Sequence, residues 1–349
     1  MRTHKKTGMA FAAFLAVCLV SCVAKTPAIK TDNSIAQLEK VKLGGVEQWI
    51  LVRGENRSNP VLLFVHGGPG SPETPLEYYF GRGLEKNFVV VMWDQRNAGK
   101  SVSFAHPVPK SSMNIDQFVS DALELTQILE KKFNTPKIYI MGHSWGTIIG
   151  TLAVQRRPEL FYAYIGIGQC VDLKRDDEIS YQFVLDEAKK QNNQKAIKQL
   201  EEIGPPPYKS ESDLMTQRGW LDKFHGVFWK GSMNDYILKG LHAQEYNTLD
   251  FVKFVYGAEY SGNLMWKDLT SINFIQQAPR LLVPVYFFEG RHDYNTSWPL
   301  VQEYYEKLDA PKGKHLIWFE NSAHSPNLEE TDKFTSEMVN EVLPQTYNK

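Results

Sequence analysis

The sequence lacks several features that would place it in well-defined protein classes. Only three cysteines occur in 349 residues. Cys18 and Cys22 lie in the leading segment, so once that segment is processed Cys170 has no partner and no intramolecular disulfide can form. A chain this long, with 42% hydrophobic residues, buries enough surface to do without one. Net charge is also scarce. Lys and Arg number 39 against 40 Asp and Glu, and no basic stripe or run of like charges breaks the balance, which argues against a nucleic-acid surface. The apolar stretch at residues 9–20 is too short to cross about 30 Å of hydrocarbon. No internal repeat is evident. His66 and His143 are scattered rather than spaced as metal ligands, so neither a metal nor a cofactor is expected.

That apolar stretch follows Arg2, Lys5 and Lys6, the layout of an export signal. It ends in Leu19-Val-Ser-Cys22, which resembles a bacterial lipobox, with Cys22 as the acylated residue. A plain signal peptide is the alternative. The expectation is a signal over residues 1–21, a tether over 22–35, and a protein of the bacterial cell envelope held on the membrane by lipid.

The chemistry is signalled by Gly142-His143-Ser144-Trp145-Gly146, directly after the apolar run at residues 137–141. A G-x-S-x-G placed where a strand gives way to a helix turns so sharply that the serine hydroxyl projects at the strand's C-terminal end, and a side chain at either glycine would collide with its neighbours. In the triad of this arrangement an acid and then a histidine follow along the chain, on loops after late strands. Residues 284–289 read as a buried strand opening into Gly290-Arg291-His292-Asp293, and residues 315–320 as the next, opening into Asn321-Ser322-Ala323-His324. An amphipathic stretch, residues 299–308, suits the crossover helix between them. Ser144, Asp293 and His324 are therefore the expected catalytic residues, on the sheet edge where open α/β folds place their sites. Asp172, just after the sixth strand, is the rival acid. The glycine-rich loop His66-Gly67-Gly68-Pro69-Gly70 can bring a bare backbone N–H toward the serine. Gly68, with Gly67 as the fallback, and Trp145 are the expected oxyanion donors. Cys170 reads as a packed thiol. Asp94 and Arg96 read as a local ion pair buttressing the loop after the fourth strand.

The element pattern is α/β. Residues 41–54 suggest a leading hairpin around Gly44-Gly45, and residues 61–66 and 88–94 read as strands buried on both faces. Asn114 with Gln117 suggests a capping box opening a helix to about residue 132. The β-α alternation then stops. Residues 172–278 are aromatic-rich and predict helices, including 179–190 and 196–203, before the Gly204-Pro-Pro-Pro break. This stretch is expected to be a helical cap inserted after the sixth strand, between core segments 36–171 and 279–349, closing over the site and shaping its pocket.

HGGPG at residues 66–70, WDQRNAGKS at 93–101, GHSWG at 142–146, GRHD at 290–293 and AHS at 323–325 together resemble the proline iminopeptidase group of α/β-hydrolases. The resemblance runs from about residue 41 to the C-terminus. It departs at His143 and at Asn97, where the family usually carries glycine. It implies an α/β-hydrolase fold, no cofactor, and release of N-terminal residues, proline preferred, from short peptides. An aminopeptidase must hold a free amine, and Glu178 is the first candidate, with Glu245 and Glu259 behind it. A carboxylic-ester hydrolase uses the same triad. A non-enzymatic surface receptor on a hydrolase scaffold is the reading from another class.

Overall fold

A computed structural model describes residues 24–347 of the protein. The expected signal segment and Cys22 lie outside the described residues. The strands are β1 (Ile35–Leu43), β2 (Val46–Gly54), β3 (Val61–Val65), β4 (Val89–Asp94), β5 (Ile138–His143), β6 (Phe161–Ile167), β7 (Val285–Gly290) and β8 (Lys314–Phe319). They form one sheet in the order β1-β2-β4-β3-β5-β6-β7-β8. The leading hairpin is antiparallel and β2 joins β4 antiparallel, while β3 to β8 run parallel to one another and to β4. The hairpin turns on Gly44 and Gly45, both at positive φ, the backbone that a tight two-residue turn requires.

The strands are buried because both faces are covered. Leu63, Val65 and Ile140 pack on one face with Phe118, Ile148 and Ile149 from α1 (Ile115–Phe133) and α2 (Trp145–Arg156). Leu62, Phe64 and Met141 pack on the other with Phe80, Phe334 and Met338. Each such side chain contributes on the order of 2 kcal/mol by leaving water. Helix α1 starts where the sequence places it, with the Asn114 side chain accepting from the Gln117 N–H. The reciprocal half of the box is replaced, because the Gln117 amide donates to Asp121 instead. Cys170 sits in this core, its N–H donating to Thr147 Oγ1 at 2.9 Å, and burial pushes its thiol pKa up.

Between β6 and β7 the longer elements are α3 (Leu173–Lys190), α4 (Gln194–Ile203), α5 (Glu211–Lys223), α6 (Met233–Gly240) and α7 (Thr248–Leu269). Ser210 with Asp213 and Asn247 with Asp250 form capping boxes that open α5 and α7, each worth about 1 kcal/mol. The stretch is pinched at its neck. Asp172 and Asn273 form an isolated antiparallel bridge, and the Phe274 N–H donates to the Val171 carbonyl at 2.7 Å. Of the expected tether, the described part makes contacts with the body. The Lys25 N–H donates to the Gln244 carbonyl at 3.0 Å, and Arg53 donates to Thr26 Oγ1 and to the Pro27 carbonyl. Among the described residues no helix is long and apolar enough to cross a membrane.

Candidate active site

Ser144 stands between β5 and α2 at φ 53° and ψ −121°, a backbone conformation that costs a residue with a side chain about 1–3 kcal/mol. The flanking glycines make the turn possible. A Cβ on Gly142 would run into the Gly146 carbonyl, and one on Gly146 into the Val65 carbonyl of β3. Ser144 is half-buried, and its N–H donates to the Ile167 carbonyl at 2.9 Å, fixing the turn to the end of β6.

Asp293 and His324 meet at the same rim. His324 Nδ1 lies 2.8 Å from Asp293 Oδ2 and both residues are buried. The carboxylate is held from its other side by the N–H groups of Asn295 and Thr296 on Oδ1 and by the Thr296 hydroxyl on Oδ2. The helical stretch reaches the histidine directly. The His324 N–H donates to the Val227 carbonyl at 3.0 Å, while Glu329 accepts from the N–H groups of Trp229, Lys230 and Ala323. Burial pushes the Glu329 carboxyl up to about 7 despite these donors. Ser144 Oγ and His324 Nε2 have no hydrogen-bond partner among the described residues. Asp172, the rival acid, does not approach His324. Its carboxylate accepts from the Arg175 N–H and from Asn273 Nδ2, capping α3 and closing the neck.

The glycine-rich loop lies over the serine. The Cβ position of Gly67 is 3.2 Å from Ser144 Cβ, so a larger residue there would crowd the nucleophile. The Gly67 N–H points to Glu73 Oε1 at 3.4 Å. The N–H groups of Gly68 and Trp145 donate to no group among the described residues, which leaves these two available to a ligand. Gly68 is at φ 116°, where a side chain is strained. Gln95 ties the motif segments together. Its Nε2 donates to the His66 carbonyl, its N–H to His66 Nε2, and its Oε1 accepts from Trp145 Nε1. His66 is thereby an acceptor, and burial lowers its pKa to about 4.

Three side chains at the rim are assigned no role by the sequence. His143 and Glu73 form a buried pair at 2.6 Å through Nδ1, and His143 Nε2 lies 3.0 Å from the His324 carbonyl. With Glu73 ionised, both ring nitrogens face oxygen acceptors, an arrangement satisfied by the doubly protonated cation. Burial works against that charge, but the Glu73 carboxylate prevails and holds the His143 pKa above its ordinary value. Likewise burial opposes ionisation of Glu73, yet His143 holds its pKa low. The His143 and His324 rings lie 4.9 Å apart. The third is Asp176 on α3, whose Oδ1 accepts from the Ser297 N–H at 2.6 Å, and whose burial pushes its pKa well up.

One other expectation, a local Asp94–Arg96 ion pair, is corrected. Arg96 does not pair with Asp94, because the turn after β4 sends it to Asp121 on α1, at 2.9 Å with both side chains fully buried. Asp94 instead accepts from Thr74, Tyr246 and the Lys100 N–H, and burial raises its pKa to about 6. Glu178 and Glu259 are exposed to solvent. Glu245 is enclosed, with one carboxylate oxygen unpartnered, beside Arg53 and Glu77. Among the described residues no group of three or more His, Cys, Asp or Glu is arranged to hold a metal ion.

Residues 60–331 match the model of the alpha/beta hydrolase fold family. A probable aminopeptidase of Bacillus subtilis, YbaC, is 32% identical over 312 residues, covering 88% of this chain and 96% of the relative. A proline iminopeptidase of Heyndrickxia coagulans is 26% identical, covering 80% of this chain and 89% of its own. Among solved structures, a proline iminopeptidase-related protein of Thermus thermophilus superposes with a TM-score of 0.63 at 17% identity, covering 89% of this chain and 98% of that one.

Proposed function

The chain belongs to the alpha/beta hydrolase fold family, and on that premise we propose that it is a serine hydrolase working through an acyl-enzyme on Ser144. Ser144 attacks the acyl carbon, His324 takes its proton and returns it to the leaving group, and Asp293 fixes the imidazole tautomer. Gly68 and Trp145 receive the oxyanion. The observation that carries the reading is the 2.8 Å contact of Asp293 with His324 at the rim where the strained Ser144 projects. The substrates we propose are short peptides with a free N-terminus, cleaved in the manner of a proline iminopeptidase. Support comes from the motif set and from the names borne by its relatives.

A carboxylic-ester hydrolase is the second reading, and one observation favours it. The first carboxylate proposed for the substrate amine, Glu178, faces solvent. Specificity constants for proline β-naphthylamide and a short p-nitrophenyl ester separate the two. The aminopeptidase reading expects the amide to prevail, and loss of its turnover on N-blocking. Ser144→Ala is expected to abolish both activities and labelling by a fluorophosphonate. Stoichiometric labelling of that variant would place the nucleophile elsewhere. Export and acylation at Cys22 remain part of the proposal, and the mass of the mature N-terminal peptide tests them.

A further inference from the structure

The exposed apolar residues of this protein are not scattered. Among the described residues, eight of the thirteen large apolar side chains open to solvent lie between positions 233 and 256, on two consecutive helices, α6 and α7. Single exposed apolar residues are ordinary, but such a concentration marks a surface that is covered in use. On α6 the exposed positions are Ile237, Leu238 and Leu241 at its end; on the first two turns of α7 they are Leu249, Val252 and Val255. The spacing 249, 252, 255 follows one face of a helix. Further along, that face turns polar, with Glu259 and Asn263 exposed. The apolar stripe is therefore local to the end of α7 that meets α6.

Two further observations say what covers it. The described chain arrives at this place, because the Lys25 N–H donates to the carbonyl of Gln244 in the seven-residue loop, residues 241–247, that joins the two helices. Cys22, the residue proposed to carry lipid, is three positions before Lys25 in the sequence, so a lipid on it would be tethered beside α6 and α7. Basic groups border the patch. Glu245 and Asp250 are buried, while Lys239 on α6 and Lys253 on α7 are half-buried and Lys230 before α6 is exposed, against Asp235 in the first turn of α6 and Glu259 farther along α7. Basic residues bordering an apolar face suit anionic headgroups over acyl chains.

We propose that the α6–α7 face rests on a phospholipid bilayer, as a second membrane contact beside the N-terminal segment. The contact sets the helical stretch, rather than the sheet, against the lipid. It does not depend on the hydrolase reading, since its test reads lipid contact and not turnover. The full chain carrying Val252→p-benzoylphenylalanine is reconstituted on vesicles of phosphatidylethanolamine and phosphatidylglycerol and illuminated. The expected result is a lipid adduct at position 252 and none when the probe replaces Lys131, an exposed residue of α1. Adding Ile237→Asp and Val255→Asp, both at exposed positions that leave the core intact, is expected to abolish the adduct while Tm is unchanged. A cross-link to a second copy, a cross-link to another part of the same chain, or no adduct at 252 in vesicle-bound protein overturns the proposal.

Discussion

The sheet rim and the helical stretch above it are built to different tolerances. At the rim, glycines sit where a single added carbon meets backbone. Gly142, Gly146 and Gly290 each face a carbonyl that cannot move without shifting a strand or a turn. In the helical stretch, Gly204 and Gly219 have nothing within 4 Å of their Cβ positions. The rim buries charged pairs, His143 with Glu73 and Arg96 with Asp121, and also buries Glu289 at the end of β7 with both carboxylate oxygens unpartnered among the described residues. The helical stretch leaves a row of apolar side chains in water. Chemistry that needs atoms held to a fraction of an ångström is thus assigned to the part that cannot adjust. Under the proposed function, recognition falls to the part that can.

Substitutions sharpen or break this contrast, and the largest effect is expected at the rim. Asp293→Asn is expected to lower kcat by about 10⁴, whereas Asp172→Asn, acting on the neck and the cap of α3, changes Tm with little change in kcat. The reverse ranking would move the catalytic acid into the helical stretch. Gly146→Ala is expected to destabilise the protein by about 4 kcal/mol or more, read from denaturant unfolding, because its Cβ meets the Val65 carbonyl.

Glu73→Gln comes next, at roughly 2–3 kcal/mol near pH 6, since His143 can shed its proton rather than remain buried and unpaired. The sign depends on pH. The raised His143 pKa stabilises the fold fully below its unfolded value of about 6.5 and ceases to do so as pH rises through the folded value. The lowered Glu73 pKa contributes above about 4.3 and is lost in acid. The Tm gap between wild type and Glu73→Gln should therefore be widest between about pH 4.3 and 6.5 and close toward alkaline pH. A gap independent of pH would mean that the pair is not ionic. The smallest effect is expected at Gly219→Ala, within α5 and facing open space, which should stabilise by about 0.5–1 kcal/mol. A loss of stability there would show that the helical stretch is packed as tightly as the rim.

What the sequence made legible follows the same divide. Strands buried on both faces announce themselves as continuous apolar runs, and the serine turn announces itself through its glycines. The order of strand ends then locates Asp293 and His324 without any knowledge of contacts. Long-range pairing was not legible. Arg96 finds Asp121 across 25 residues of chain, and Asp94 finds Tyr246 across 152. Glu178 was the natural candidate for a substrate amine, yet Asp176 is the carboxylate that α3 buries. Two residues along a helix is about 200° around its axis, so the one faces the core and the other the solvent. A hint existed, since Asp176, Ser180 and Val184 recur at the spacing of the buried face. Glu73 left no trace of that kind, lying in a loop where burial is decided wholly by what folds over it. At Asn97, where the family usually carries glycine, φ is 57°, a left-handed conformation that asparagine accepts more readily than most residues.

Cys170 has a practical consequence. It is the single thiol after residue 22, enclosed in the core and held far from ionisation. A thiol reagent added to the native protein therefore meets no accessible thiol after residue 22 until the interior opens. The rate at which that sulfur is modified is then a clock on the breathing of the sheet's interior, wound into the molecule without any added label.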